Sequence, residues 1–244
     1  MSNINIGTTL VLLSGGVDST YMLYKYLKDT NRALHVHHVA LDRSVSNAKK
    51  IAEWRAVDNI VKYLREIRPF EFSYSEMNMP GYDGSTLHAF YAMVAATMVL
   101  AKGYGKVASG RLATDNTTTG WRNMHHALRV FDAAVDGRTN PPPEWVFPID
   151  NLTKTDCIKG MPKELFALTW SCQHPKLKEN GDIVECRKCI GCARRIEAQH
   201  RSGLFEDIPE EDLSILQEDD YTKHVEMSSY RFMAPLTNYR GRVI

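Results

Sequence analysis

The chain has 244 residues, 43% apolar and 24% charged, with a formal net charge of +1. That length supports one full α/β core, alone or with a small appendage, and the balanced charge excludes a strong overall field for nucleic acid or membrane. No apolar run reaches the roughly 18 residues a membrane helix needs. The first residues also lack the basic lead and cleavage site of a leader, so the expectation is a soluble, cytoplasmic protein.

Residues 8–13 (TTLVLL) are a continuous apolar, β-branched run and predict a strand buried on both faces. A turn follows over 14–19, then an apolar-periodic helix over 20–27, broken at 29–31. Residues 33–41 predict a second strand. A long helix spans 46–66, with Ser46 or Asn47 as its N-cap. Pro69 ends it, and 70–74 predict a third strand. Pro80, Gly81 and Gly84 make 79–84 a loop. A helix over 85–102 and a short strand over 106–109 follow. Residues 114–120 are polar and predict a loop, 121–135 a helix, and Pro141 to Pro143 a turn before the 145–149 stretch. Thr153 opens a short capped helix over 153–159.

Strands alternating with helices predict an α/β fold with a doubly wound parallel sheet. The expected division is a nucleotide-binding domain over 1–150, a small zinc-binding lobe over 151–204 and an acidic C-terminal extension over 205–244. No repeat is visible, and the acids between 205 and 220 fit a solvated segment.

The turn Ser14-Gly15-Gly16-Val17-Asp18-Ser19 separates the first strand from the first helix. Two glycines let the backbone turn sharply and approach a ligand. The following helix N-terminus offers free N–H groups and the positive end of a dipole, which suits phosphate. Ser14, Ser19 and Thr20 add hydroxyls. Asp18 suits a Mg²⁺ ion or the bracing of the loop better than direct phosphate contact. No lysine follows the glycines, so this is not the Walker pattern. A plain strand-to-helix turn is the alternative, and the full six-residue string favours nucleotide binding.

Of five cysteines, Cys172, Cys186, Cys189 and Cys192 crowd into one stretch, with two nested C-x-x-C steps. Four thiolates suit a closed tetrahedral Zn²⁺ site, with an iron–sulfur cluster or free thiols as alternatives. Gly191 relieves crowding in the turn, and Arg187, Lys188, Arg194 and Arg195 lie close by to offset the thiolate charge. Cys157 stands apart and reads as a small buried residue.

His35 and His37 share one strand face and His38 the other. With no third convergent ligand, a catalytic metal is disfavoured, and His37 is expected to line the nucleotide pocket at the end of its strand. His125 and His126, about 100° apart on a helix, are poorly placed to chelate.

Together the loop and the cysteine cluster resemble the 7-cyano-7-deazaguanine synthase (QueC) family of the N-type ATP pyrophosphatases. The resemblance runs from about Thr8 to Ser202. It rests on SGGVDST, the Pro80-Gly81 turn, Gly110 and Asp115 after the fourth strand, the Pro148 to Asp156 segment (P-x-x-x-L-T-K-T-D) and TWSC…C-x-x-C-x-x-C from Thr169 to Cys192. It implies an ATP-dependent, AMP-forming ligase that activates 7-carboxy-7-deazaguanine as an acyl-adenylate and converts it with ammonia to the amide and then the nitrile. It implies ATP, Mg²⁺ and Zn²⁺ as cofactors, with the zinc on Cys172, Cys186, Cys189 and Cys192. The partners implied are small molecules, with neither a membrane nor direct nucleic-acid contact, and the family often forms homodimers.

The resemblance places nucleotide contacts at Leu13, Ser14, Gly15, Gly16, Val17, Asp18, Ser19, Thr20 and Gly110, and makes Lys154, where the family carries a lysine, the candidate charge-neutralising cation. It puts Asp115 near the substrate. Where the family carries Tyr-Pro-Asp-Cys-Arg, this chain has Gly120-Trp121-Arg122-Asn123. Arg122 is expected to replace the arginine and Trp121 to stack on a flat heterocycle. This departure, and Tyr82-Asp83 in place of the family's Arg-Asn after Pro80-Gly81, leave open a ligase that stops at the amide or uses another amine. A tRNA-thiolating pyrophosphatase and a non-catalytic nucleotide sensor are further alternatives.

Overall fold

A computed structural model describes residues 5–42, 47–78, 87–115 and 118–205. Five parallel strands form one sheet in the order β3-β2-β1-β4-β5. They are β1 (Asn5–Leu12), β2 (Ala33–Asp42), β3 (Glu71–Asn78), β4 (Tyr104–Ala108) and β5 (Glu144–Val146). The chain enters at the centre, winds outward through β2 and β3, then crosses to β4 and β5 on the other side. The switch point therefore lies between β1 and β4, and in open α/β sheets ligands bind outside the strand ends there.

Adjacent residues of β1 face opposite cores, as the unbroken apolar run predicts. Leu10 packs with Ala92, Ala96 and Val99 of α3 (Leu87–Lys102) and with Leu128, Phe131 and Val135 of α4 (Thr118–Val135). Val11 joins Val17 and Leu23 of α1 (Val17–Asp29) and Val57, Ile60 and Leu64 of α2 (Ala48–Arg65). Both Leu10 and Val11 are fully buried. Helices cover both faces, and the sheet is doubly wound.

Several boundaries differ from the sequence-based expectation. Helix α1 begins at Val17, immediately after the glycines. Asn47 is the N-cap of α2, but its left-handed backbone (φ 53°) removes its side chain from the capping bond. Helix α4 begins at Thr118, inside the stretch expected to be a loop, after a short 3₁₀ turn at Ala113–Asp115. Strand β5 is only Glu144–Val146. The expected loop over 79–84 and the acidic segment beyond 205 lie outside the described residues.

Beyond the sheet come α5 (Lys154–Lys159), α6 (Lys163–Ala167), a two-stranded hairpin of β6 (Lys176–Leu177) and β7 (Ile183–Val184), and α7 (Ile190–Ser202). Cys157, Ile158, Leu165, Phe166 and Ala198 enter the same core as Val11 and Leu23. The cysteine-bearing region is thus seated on the α1 side of the sheet. Among the described residues, no helix is long and apolar enough to cross a membrane.

Candidate active site

The turn after β1 is closed by its own hydroxyls. The backbone N–H of Ser14 donates to Ser19 Oγ (3.1 Å), the Ser14 and Ser19 hydroxyls bond at 2.9 Å, and the N–H of Gly16 donates to Ser14 Oγ (3.3 Å). Gly15 has φ +80°, a conformation that an L side chain rarely adopts. Gly16 is the N-cap of α1 and supplies no side-chain bond, so the first N–H groups of this 13-residue helix are available to an anion. Gly110, after β4, closes the turn from the other side. A Cβ there would lie 2.8 Å from Ser19 N and 2.9 Å from Ser19 Cα, so only glycine lets β4 come this close to α1. Gly110 therefore has a packing reason as well as a place in the cleft.

Lys154 arrives from a distant segment. Thr153 and Asp156 form a reciprocal capping box, with Thr153 N–H on Asp156 Oδ2 (2.8 Å) and Asp156 N–H on Thr153 Oγ1 (3.2 Å). This fixes the first turn of α5 and aims Lys154 Nζ at Asp18 Oδ1, 2.5 Å away. Burial pushes the Asp18 carboxyl up from its ordinary value, the neighbouring Lys154 ammonium pulls it back, and Asp115 pushes it further up. Asp115 is anchored by the Leu112 N–H (3.0 Å) and faces the Arg194 guanidinium at 3.7 Å.

These groups open into two hollows that share Ser14, Glu53 and Tyr91. The larger, about 510 Å³, is lined by Ser14, Gly16, Val17, Asp18, Asp115 and Lys154 on one side, and by Trp170, Gln173, Arg194 and Arg201 on the other. The smaller, about 230 Å³, sits at the switch point among Leu13, Ser19, His37, His38, Gly110 and Trp145. Thr20 is fully buried and lines neither hollow, and its Oγ1 has no hydrogen-bond partner among the described residues. Gly15 meets the cleft through its carbonyl bond to Trp170 N–H (2.9 Å). Trp121 and Arg122 belong to the first turns of α4, and their side chains lie outside the described residues.

The histidines have fixed partners. Ser73 Oγ bridges His35 Nε2 (2.6 Å) and His37 Nδ1 (2.8 Å), and Ser75 Oγ meets His37 Nε2 (3.1 Å). His38 donates from Nδ1 to the Leu13 carbonyl (2.8 Å), which braces the strand end entering the glycine turn. Burial drives His37 down to about 4, so its ring is neutral near pH 7. His125 and His126 sit on α4 with ring centroids 6.5 Å apart.

The sulfurs of Cys172, Cys186, Cys189 and Cys192 all lie within 4.8 Å of one another. Cys189 and Cys192 are 3.6 Å apart, close to the roughly 3.8 Å edge of a tetrahedron with metal–sulfur bonds of about 2.3 Å. Backbone N–H groups of Cys186, Gln173 and Lys188 point at Cys172, Cys189 and Cys186 (3.2, 3.3 and 3.5 Å), an arrangement that favours thiolates. Contact with Cys189 pushes the Cys172 thiol up to about 12, and the same contact draws Cys189 down. This donor set fits a metal ion, and the four cysteines could hold one such as zinc.

Gly191 is required here, since a Cβ would collide with the Ser171 carbonyl oxygen. Arg195 turns inward to the Thr169 carbonyl (2.8 Å) and Glu185 (3.1 Å), whereas Arg194 turns to the cleft. Cys157 is buried and its thiol is raised to about 12 by burial and by Asp18, as a small core residue should be. Trp170 and Arg194 are cleft residues that motif reading missed as such. The available signal was the helical recurrence of Ile190, Arg194, Glu197 and Arg201, which places one face of α7 on the cleft.

No protein-family model matches the chain. Over 229 aligned residues it is 26% identical to 7-cyano-7-deazaguanine synthase 2 of Sulfurisphaera tokodaii, which covers 83% of this chain and 48% of the relative. The chain thus spans about half the length of the curated relative it matches. At family level, the chain is similar to a 7-cyano-7-deazaguanine synthase.

Proposed function

We propose that the protein is an ATP-dependent, AMP-forming ligase that converts 7-carboxy-7-deazaguanine, with ammonia, to 7-cyano-7-deazaguanine. The observation that carries this reading is the 2.5 Å pairing of Lys154 with Asp18 at the first turn of α1, beside the sheet's switch point. It brings a cation to the place where a helix N-terminus and a glycine turn favour phosphate. The distant likeness to a 7-cyano-7-deazaguanine synthase supports the substrate.

In this reading a carboxylate oxygen of the deazapurine attacks the α-phosphorus of ATP. The bond from that phosphorus to the bridging oxygen breaks, and pyrophosphate leaves with the electron pair. Ammonia adds to the acyl carbon and loses a proton, AMP departs, and the amide remains. Its oxygen attacks a second ATP in the same way. Loss of AMP and the two amide N–H protons then gives the nitrile. AMP is a good leaving group where oxide is not, so the enzyme's work is alignment and charge neutralisation.

Ser14, Gly16 and the N–H groups of α1 hold the leaving pyrophosphate. Lys154 offsets its charge, and Asp18 keeps the ammonium in place. Mg²⁺, held with Asp18, spreads the negative charge of the triphosphate when bound. Zn²⁺ on the four cysteines serves as a structural crosslink. The chain acts in the cytoplasm on small molecules, as a homodimer, with residues 1–150 and 151–204 as the nucleotide and zinc units and 205–244 as an appendage.

The test is mass spectrometry of a reaction with 7-carboxy-7-deazaguanine, ATP, Mg²⁺ and ammonium. Nitrile with about two AMP per product supports the synthase. AMP with only the amide, or with an adduct to another amine, identifies a ligase that ends earlier. No AMP rejects the reading.

A further inference from the structure

We infer that Arg194, on the cleft face of α7, binds the carboxylate of the substrate, with the Trp170 indole beside it as a platform for a flat heterocycle. The inference rests on the ligase reading above and adds the residues that select an anionic aromatic acid.

Three observations carry it. First, Ile190, Gly191, Arg194, Glu197, Ala198 and Arg201 all line the larger hollow. Their spacing of three and four puts them on one helix face, which forms the wall opposite the nucleotide turn. Second, the cations on this side differ in how firmly they are held. Lys154 is bound to Asp18 at 2.5 Å, Arg201 to Glu197 at 2.6 Å, and Lys49 to Glu53 at 3.3 Å. Arg194 reaches Asp115 only at 3.7 Å and makes no hydrogen bond among the described residues. Its side chain is 41% exposed, so its planar fork is open to a bidentate partner. Arg194 is also near enough to Asp18 to lower that carboxyl electrostatically, so an acid held by it lies beside the phosphate-binding turn.

Third, the wall is rigid. Cys189 and Cys192 precede Arg194 on α7 and its N-cap, which ties the helix to the metal cluster. Trp170 Nε1 donates to the Cys172 carbonyl (3.0 Å), so the indole of this lining residue has one orientation. A site about 510 Å³ in size with one loosely held arginine and one fixed indole fits a planar aromatic carboxylate.

The experiment is equilibrium binding of two ligands, 7-carboxy-7-deazaguanine and 7-deazaguanine without the carboxyl, to the full chain and to R194A and R194K. ATP binding is measured alongside. Charge-assisted bonds of this kind are worth roughly 10- to 100-fold in affinity. Wild type should prefer the acid by that factor, R194A should lose the preference while its ATP affinity stays within about twofold, and R194K should recover part of it. A retained preference in R194A overturns the inference and leaves the ligase reading standing. A wild type that binds neither deazapurine rejects that reading and the inference with it. A drop in ATP affinity equal to the drop for the acid also overturns it, since that is the signature of a merely structural arginine. Unchanged thermal melting and metal content in R194K show that the fold is intact.

Discussion

The backbone N–H of Trp170 donates to the carbonyl of Gly15 at 2.9 Å, and the Trp170 indole donates to the carbonyl of Cys172 at 3.0 Å. One residue thus joins the glycine turn after β1 to the first of the four clustered cysteines. The turn is thereby tied to a cysteine more than 150 residues away in sequence.

A metal held by these cysteines is therefore expected to act on catalysis without touching substrate. Cys186→Ser should lower the bound zinc from one equivalent to near zero by atomic emission. It should cost several kcal/mol of stability and raise the KM for ATP. Zinc-replete C186S protein with normal ATP binding would disprove the link.

Lys154→Gln keeps the stem and removes the charge. With a single positioned cation worth about 10²–10³ in rate, carboxylate-dependent ATP–pyrophosphate exchange should fall by that factor, with a smaller change in ATP affinity. An unchanged exchange rate would make Lys154 a partner of Asp18 alone.

Asp18→Asn separates stability from function. Burial raises the Asp18 carboxyl in the folded state, so its contribution to stability is full below the unfolded value of 3.8 and is lost as pH rises through the folded value. D18N removes this titration, so its melting temperature should change less with pH above 4 than that of wild type, and exchange activity should drop at least a hundredfold. An unchanged pH dependence of melting in D18N would contradict this.

The histidine cluster carries the opposite sign. His37 is depressed to about 4 from 6.5 by burial, so its stability contribution is present above 6.5 and is lost as pH falls through 4. Each such proton gives a slope of about 1.4 kcal/mol per pH unit. His35 and His38 are also lowered, again by burial first. Denaturant titrations between pH 7 and 4 should show this slope, and His37→Asn should flatten it. An unaltered slope in H37N would assign the uptake elsewhere.

Gly110→Ala should destabilise by about 1–3 kcal/mol, the usual range for overpacking, because the new methyl meets the backbone of Ser19 at 2.8 Å. Calorimetry checks it, and a loss under 0.5 kcal/mol would mean that β4 and α1 move apart freely.

Much of this was legible locally. The 8–13 run announces a doubly buried strand, as Leu10 and Val11 confirm, and Thr153 with Asp156 spells out a capping box in four letters. The four cysteines were legible by spacing alone. The start of α4 at Thr118 was not, because Thr118, Thr119 and Gly120 are weak helix formers that tertiary context overrides. In the sequence Arg194 reads only as a counter-charge to the cysteines. Whether it or Arg195 faces the knot depends on a rotation of about 100° around α7, and the register of that helix is set by Glu185, Thr169 and Phe166 packing on Arg195.

Because the cleft draws Ser14 and Asp18 from the first crossover, Asp115 from beyond β4, Lys154 from α5 and Arg194 from α7, its parts emerge from the ribosome at widely separated times. A nascent chain grown as far as β5 has every strand of its sheet, yet its phosphate turn still faces open water on the side where Trp170 will dock. The wall formed by α7 comes last, so the cleft is complete only when Cys189 and Cys192 have brought that helix to the other two cysteines.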